Sequence, residues 1–300
     1  MKVALLYQPR PAHLEALCAA GAEPMVAATI GDARAAVAAA EAILGNRFFA
    51  EAIDGIDQGA LRWVQTPSVG VERHLALLAP HVALTNARGV FDDDVADHAL
   101  ALALGLLRGL GARRWERVAL EPLAGSTAMV LGLGGIGRGI ARRLAACGAR
   151  VLGVRRSAGG VPPGVSEVLG PADWRSRLAE ARLLMLALPL TPATRGCIGA
   201  GELSALPPGA ALVNMARGEL VDETALLAAI RSGLRAGLDV FAEEPLPAEH
   251  PFWTEALVTP HLARPPDAAA PRWEPLFEEN LRRFAAGQPL INEVSRELGY

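Results

Sequence analysis

Residues 129–157 read MVLGLGGIGRGIARRLAACGARVLGVRRS, an apolar strand followed by a glycine-rich turn, a helix and a second apolar strand. Gly132, Gly134 and Gly137 fall in the G-x-G-x-x-G spacing at the point where the first strand gives way to the helix. Ile136, Ile140, Leu144 and Cys147 form one apolar stripe that can pack on a sheet, while Arg138, Arg142 and Arg143 face elsewhere. Glycines in this spacing permit a tight turn, bring backbone N–H groups close to a pyrophosphate and let helix and strand pack closely. The helix dipole adds a preference for the anion. The motif alone could be a glycine-rich turn with no ligand. With strand, stripe and second strand in place, it reads as a dinucleotide site formed by Gly132, Gly134, Gly135, Ile136 and Gly137.

A site for the non-phosphorylated dinucleotide usually carries an acidic residue at the end of the second strand, about 20 residues past the first glycine, to hold the ribose hydroxyls. Arg155, Arg156 and Ser157 stand there instead. Two guanidiniums and a hydroxyl suit a 2′-phosphate, so NADP(H) is expected in preference to NAD(H), which stays possible. An ordinary solvated arginine pair is the other reading of these residues.

Outward from this unit the chain alternates short apolar runs with helical patterns. Before it come Val3–Tyr7, Ala12–Ala20, Pro24–Ile30, Ala33–Ala40, Ala42–Leu44 and Leu61–Gln65; after it, strands are expected near Arg150–Val154, Arg182–Leu188, Ala210–Asn214, Arg235–Val240 and Ala256–Thr259. That rhythm means βαβ units and mainly parallel sheets. A helix over Val95–Arg113, apolar almost all round, carries Gly105, Gly109 and Gly111, which would admit another helix at close range. Trp273, Phe277, Leu281 and Phe284 repeat at helical spacing, so the chain closes with an amphipathic helix and a short tail.

Composition prunes the alternatives. Across 300 residues, 51% are hydrophobic and 20% charged, which excludes a disordered chain, and a net charge of −3 gives no reason to expect nucleic acid as a partner. Val95–Leu110 is the longest apolar stretch, but it contains Asp97, His98 and Arg108 and falls short of the roughly 20 apolar residues a membrane span needs. MKVALLYQPR at the start reads as a first strand, not a signal peptide. Cys18, Cys147 and Cys197 form no CxxC and leave one unpaired in any disulfide scheme, so a reduced, cytoplasmic setting is expected. Lys2 is the only lysine, which argues against Schiff-base chemistry and against a P-loop. No metal site is expected.

Four further stretches, LPLTPATRGCIG, LVNMARGELVDETALLAAI, GLDVFAEEPLP and TPHLA, occur in that order in the second half. With the glycine loop they resemble the consecutive signatures of the D-isomer-specific 2-hydroxyacid dehydrogenases. The resemblance runs over nearly the whole chain. The short length, the Arg155–Arg156 pair and the closing NEVSRELGY are most similar to the glyoxylate/hydroxypyruvate reductase branch.

The resemblance implies a two-domain α/β protein. A flavodoxin-like substrate domain over 1–92 is completed by a return over 263–300, and a Rossmann NAD(P)-binding domain is inserted over 93–262. It implies a homodimer through the Val95–Arg113 helix and transfer of a hydride between the dinucleotide and a small 2-oxo acid, giving the D-hydroxy acid.

Reduction of a 2-oxo acid needs a cation for the carboxylate and carbonyl, a proton donor for the new alkoxide and a dry pocket. Arg217 and His261 each follow an apolar strand, where open α/β sheets place ligands, and Glu244 follows the strand GLDVF. Arg217 taken alone reads as a loop cap or salt bridge. The family match makes it the substrate-gripping guanidinium, His261 the proton donor and Glu244 its acidic partner, with Glu243 the neighbouring alternative. His13, His74, His81, His98 and His250 lie in ordinary helix or loop contexts.

The match further implies that Asp239 orients the nicotinamide carboxamide and that Leu188 and Pro189 lie under the cofactor. In SVGVE, Val69 and Gly70 would offer backbone N–H groups to the substrate carboxylate. On residues alone, Asp239 could cap a turn and SVGVE is only a turn. Asn46–Phe49, where family members set substrate size, matches no familiar version, LARPPDAAAP after His261 departs from the family's usual continuation, and Asp97 replaces a more usual Glu. A dinucleotide-sensing, non-catalytic binding protein of the same fold, like the family's corepressor branch, is the alternative function.

Overall fold

A computed structural model describes residues 1–110, 120–264 and 270–300. The chain divides into two compact units, one formed by Met1–Val90 with Pro266–Tyr300 and the other by Phe91–Pro265.

The first unit holds a five-stranded parallel sheet of β1 (Lys2–Leu6), β2 (Glu23–Val26), β3 (Ala42–Gly45), β4 (Trp63–Gln65) and β5 (Ala83–Thr85), in the order β2-β1-β3-β4-β5. This is the flavodoxin-like arrangement. The central strands β1 and β3 are almost wholly apolar and buried, as a parallel strand covered on both faces must be. The helix Ala270–Ala285 belongs to this unit and lays Trp273, Phe277 and Leu281 into its core. Polar ties fix it as well: Arg10 pairs with the buried Glu274, His13 Nδ1 meets Glu278 Oε1 at 2.7 Å, and His13 Nε2 meets the Tyr7 hydroxyl at 2.6 Å. Burial first, and the two nearby carboxylates second, push the Tyr7 phenol well above its ordinary pKa. Beyond that helix, an antiparallel bridge from Glu293 to Thr85 attaches the tail to the edge strand.

The second unit holds β6 (Thr127–Leu131), β7 (Arg150–Val154), β8 (Glu167–Leu169), β9 (Leu183–Leu186), β10 (Ala211–Asn214), β11 (Arg235–Leu238) and β12 (Leu257–Val258). Their order, β12-β11-β10-β9-β6-β7-β8, is parallel throughout and reverses direction between β6 and β9. It is a doubly wound Rossmann sheet with one added edge strand, and the reversal is the topological switch point where such sheets take ligands.

The structure departs from the sequence expectations in three places. β5 and β8 are three-residue strands, too short to show a period. The helix expected over Val95–Arg113 spans Asp92–Leu107: Asp92, Asp93 and Asp94 form its first turn, where carboxylates complement the helix dipole, and Gly109 lies past its end at φ +65°. Residues 111–113 of that expectation lie outside the described residues. Nor does Gly105 face a helix. A Cβ there would come within 2.8 Å of Leu257 Cδ2 on β12, so the missing side chain makes room for the sheet. No helix among the described residues is long and apolar enough to cross a membrane.

Candidate active site

The loop 132–135 leaves β6 at the switch point. Gly132 has φ +97°, and a Cβ there would meet the Ala187 carbonyl oxygen at 2.4 Å; a Cβ on Gly137 would meet the Gly132 carbonyl oxygen at 1.8 Å. These two glycines let the turn close against the neighbouring strand and against itself. Gly134 is different: it caps the helix Gly135–Ala146 without a side-chain hydrogen bond, and a Cβ on it would touch nothing within 4 Å. Gly134 brings no side chain of its own to this N-terminus and leaves open space beside the cap, which a pyrophosphate can fill, while the Asp92 carboxylate packs against Gly135 on the other side; the cap residue fits the dinucleotide. Leu188 and Pro189 follow β9 one residue on, after Ala187, and Leu188 N lies 3.1 Å from where a Gly132 Cβ would sit.

At the end of β7, Arg155 folds back over its own loop, donating to the Gly160 carbonyl at 2.9 Å with Nε buried and unpartnered. Arg156 and Ser157 are exposed beside it.

Toward the opposite end of the sheet edge, Asn214 closes β10 and clamps the loop carrying Arg217. Its Oδ1 accepts from Ala216 N–H at 3.0 Å and its Nδ2 donates to the Arg217 carbonyl at 2.8 Å. Gly218, the next residue, presses on the backbone past β11; a Cβ there would lie 1.9 Å from the Phe241 carbonyl carbon. The loops after β10 and β11 are thus in backbone contact, which brings the Arg217 loop against the one leading to Glu244. Phe241 N–H donates to Glu244 Oε1 at 3.0 Å, and Glu244 Oε2 meets His261 Nδ1 at 2.8 Å. With Nδ1–H given to the carboxylate, Nε2 is the nitrogen left for substrate. His261 is half-exposed, as a group that must reach a ligand has to be. Glu244, not Glu243, makes this contact.

Asp239 is almost fully buried at the end of β11 and is not a simple turn cap. It accepts the Thr259 hydroxyl at 2.6 Å, Leu262 N–H at 2.8 Å and Ala263 N–H at 3.1 Å. His98, read from sequence as an ordinary helix residue, reaches this cluster, with Nε2 2.9 Å from Thr259 Oγ1. Neither His98 nor Asn214 carries a sequence signal for its role, because the partners of one are remote in the chain and the other looks like a routine strand end.

Across the edge, His261, Asp239 with Glu244, Arg217, Leu188, the glycine loop and Arg155 stand at successive strands β12, β11, β10, β9, β6 and β7. From β11 to β7 is four strand spacings, about 19 Å.

Val69 and Gly70 belong to the other unit, in the loop after β4. The Val69 carbonyl accepts from Asn86 Nδ2 at 2.9 Å, and Asn46 reaches the same loop, donating to Ser68 Oγ at 3.3 Å. Phe48, beneath the Arg47 guanidinium, has φ +60°.

An uncapped glycine loop at a switch point and a carboxylate–imidazole pair on the same sheet edge define a nicotinamide-dinucleotide oxidoreductase. Comparison with known proteins agrees. The family described as "D-isomer specific 2-hydroxyacid dehydrogenase, NAD binding domain" matches residues 101–263. The chain is 36% identical over 220 residues to glyoxylate/hydroxypyruvate reductase A of Photorhabdus laumondii, covering 68% of each protein. It is also 36% identical over 239 residues to D-3-phosphoglycerate dehydrogenase of Mycobacterium leprae, covering 75% of this chain but only 44% of that longer relative. Among solved structures, a D-isomer-specific 2-hydroxyacid dehydrogenase of Xanthobacter autotrophicus Py2 in complex with NADPH and MES superposes with a TM-score of 0.82 at 33% identity, covering 99% of each chain. An NADPH-dependent glyoxylate/hydroxypyruvate reductase of Sinorhizobium meliloti in complex with NADP and sulfate gives 0.84 at 28% identity, again over 99% of each chain. The chain belongs to the D-isomer-specific 2-hydroxyacid dehydrogenase family.

Proposed function

We propose that the protein is an NADPH-preferring reductase of a small 2-oxo acid of the glyoxylate or hydroxypyruvate type, forming the D-2-hydroxy acid. The observation that carries this reading is the Glu244–His261 contact at 2.8 Å, on a loop packed against the one that presents Arg217.

When bound, the dinucleotide supplies the hydride that reduces C2 of the 2-oxo acid. Arg217 grips the carboxylate and polarises the carbonyl with its planar fork. His261 gives its Nε2 proton to the developing alkoxide, while its Nδ1 stays hydrogen-bonded to Glu244, which fixes the ring's orientation. Val69 and Gly70 contribute backbone N–H groups to the substrate carboxylate. Gly132, Gly134, Gly135, Ile136 and Gly137 surround the pyrophosphate, Leu188 and Pro189 support the cofactor, and Asp239 holds the carboxamide. Arg155, Arg156 and Ser157 take the 2′-phosphate; two relatives in the comparison are described with NADPH or NADP bound, which supports that preference. The same reading includes a homodimer built on the helix Asp92–Leu107 and a cytoplasmic setting, in keeping with three free cysteines.

The test is NADPH oxidation by the purified chain with glyoxylate, hydroxypyruvate and larger 2-oxo acids, alongside NADH. Turnover with NADPH and the small acids is expected. Tight NADPH binding with no turnover on any 2-oxo acid overturns it in favour of a sensing protein.

A further inference from the structure

His261 has φ +51°, in the left-handed region that a residue with a side chain seldom occupies. Such a backbone persists only where its surroundings over-determine it. Here Asp239 supplies most of those surroundings: His261 N–H is shared between the Asp239 carbonyl at 2.9 Å and the Thr259 carbonyl at 3.0 Å, and the next two amides, Leu262 and Ala263, donate to Asp239 Oδ1 and Oδ2 at 2.8 and 3.1 Å. One buried aspartate therefore grips the chain at the imidazole residue and just beyond it.

The carboxylate is itself held. Thr259 donates its only hydroxyl proton to Asp239 Oδ1 at 2.6 Å, so its oxygen must accept from His98 Nε2 at 2.9 Å, which places a proton on that nitrogen. The same Nε2 lies 3.5 Å from Asp239 Oδ1. A carboxylate offers about four acceptor directions. Oδ1 spends two on Thr259 and Leu262, Oδ2 spends one on Ala263, and one direction on Oδ2 is left.

We infer that His98 and Thr259 are positioning residues: they orient the Asp239 carboxylate so that it both fixes the left-handed backbone of His261 and keeps its last acceptor direction for the cofactor carboxamide. The catalytic half of this inference rests on the proposed function, while the clamp on the His261 loop does not. Proton donor and cofactor contact are then set by one carboxylate, and the helix Asp92–Leu107 reaches both through a single imidazole.

The test pairs deletion with rescue on the full chain. T259V removes the hydroxyl at constant shape and T259S restores it. H98L removes the donor and H98Q returns an N–H near the Nε2 position. Three quantities are read: hydrogen exchange at the Leu262 and Ala263 amides without substrate, NADPH affinity by nicotinamide fluorescence, and kcat against 2-oxo acid KM. T259V and H98L are expected to speed exchange at both amides at least tenfold. They should also weaken NADPH at least fivefold and lower kcat at least tenfold with KM for the 2-oxo acid little changed. T259S and H98Q should recover most of each loss. Unchanged exchange in folded T259V or H98L overturns the inference, as does a rescue variant no better than its deletion. If neither deletion variant folds, the rescue variants decide: slow exchange at the two amides in both supports the clamp, and a tenfold rise in either overturns it. An inactive parent chain overturns the proposed function and the catalytic half of the inference, whereas unchanged exchange in an active parent overturns the inference alone.

Discussion

The two sheets share a construction and differ at their carboxyl edges. In the Phe91–Pro265 unit the three residues proposed for the chemistry are each anchored by a second residue: Glu244 by Phe241 N–H, the Arg217 loop by Asn214, and the His261 loop by Asp239. In the other unit the Asn46–Phe48 loop is tied mainly through its backbone, Arg47 N–H donating to the Leu6 carbonyl at 2.9 Å, while its side chains have looser contacts: Asn46 with Ser68 Oγ at 3.3 Å and Arg47 over the Phe48 ring. The contrast teaches a division of labour. On the proposed function, chemistry demands side chains fixed to within a fraction of an ångström, while a loop that only meets the small acid can hold its side chains more loosely.

Removing the anchored chemistry should have the largest effect. H261A is expected to lower kcat about 1,000-fold, within the range for a lost general acid, while leaving NADPH affinity within threefold; steady-state kinetics and fluorescence titration measure both. A variant retaining a tenth of the activity would show that the fixed edge is not where the proton is given.

The next effect concerns stability, and it falls on the other unit. Burial holds His74, whose ring packs at a tilt against Phe49, down to about pKa 4. The unfolded chain takes up that proton first, near its ordinary value of 6.5, so between about pH 6.5 and 4 it binds more protons than the folded one. This contribution to stability is complete above pH 6.5 and is lost as the pH falls toward 4, about 3 kcal/mol in all. H74L removes the term. Urea denaturation at pH 7 and pH 4 should therefore show a smaller acid loss than in the parent chain, and identical losses would contradict it.

R156A sharpens the comparison within the anchored edge, because Arg156 is exposed where its neighbour Arg155 is tied down. The ratio of kcat/KM for NADPH over NADH is expected to fall about tenfold, the worth of one charge-assisted phosphate contact. The smallest effect belongs to the Asn46–Phe48 loop. R47A should change the ranking of glyoxylate against larger 2-oxo acids by about three- to fivefold in KM, an energy under about 1 kcal/mol, with NADPH affinity unmoved. A large loss of NADPH affinity would erase the proposed division.

Much of this was legible in the chain because it is local. The glycine loop, its apolar stripe and the strand on either side lie within thirty consecutive residues, and Arg217, Asp239 and His261 each stand at the end of an apolar run. What was not legible depends on distant partners. His98 and Thr259 are 161 positions apart, and neither has a periodicity that points to the other. The helix expected from Val95 begins at Asp92, because Asp92–Asp94 carry no apolar periodicity although acidic residues in that position are what a helix start favours. Gly105 showed that something comes close but not whether a helix or a strand does, since absence of a Cβ is the same signal for both.

The closing helix has a consequence for the order of assembly. Strands β1 to β5 leave the ribosome ahead of the inserted unit, yet the surface around Tyr7 and Trp63 is sealed by Trp273, Phe277 and Phe284, which are made after it. The unit begun first is finished last, and the inserted Rossmann unit has its whole sequence available while the earlier strands still await their cover. During synthesis the nascent chain therefore exposes aromatic surface for most of its length, and a release cut short before residue 270 would leave that surface permanently bare.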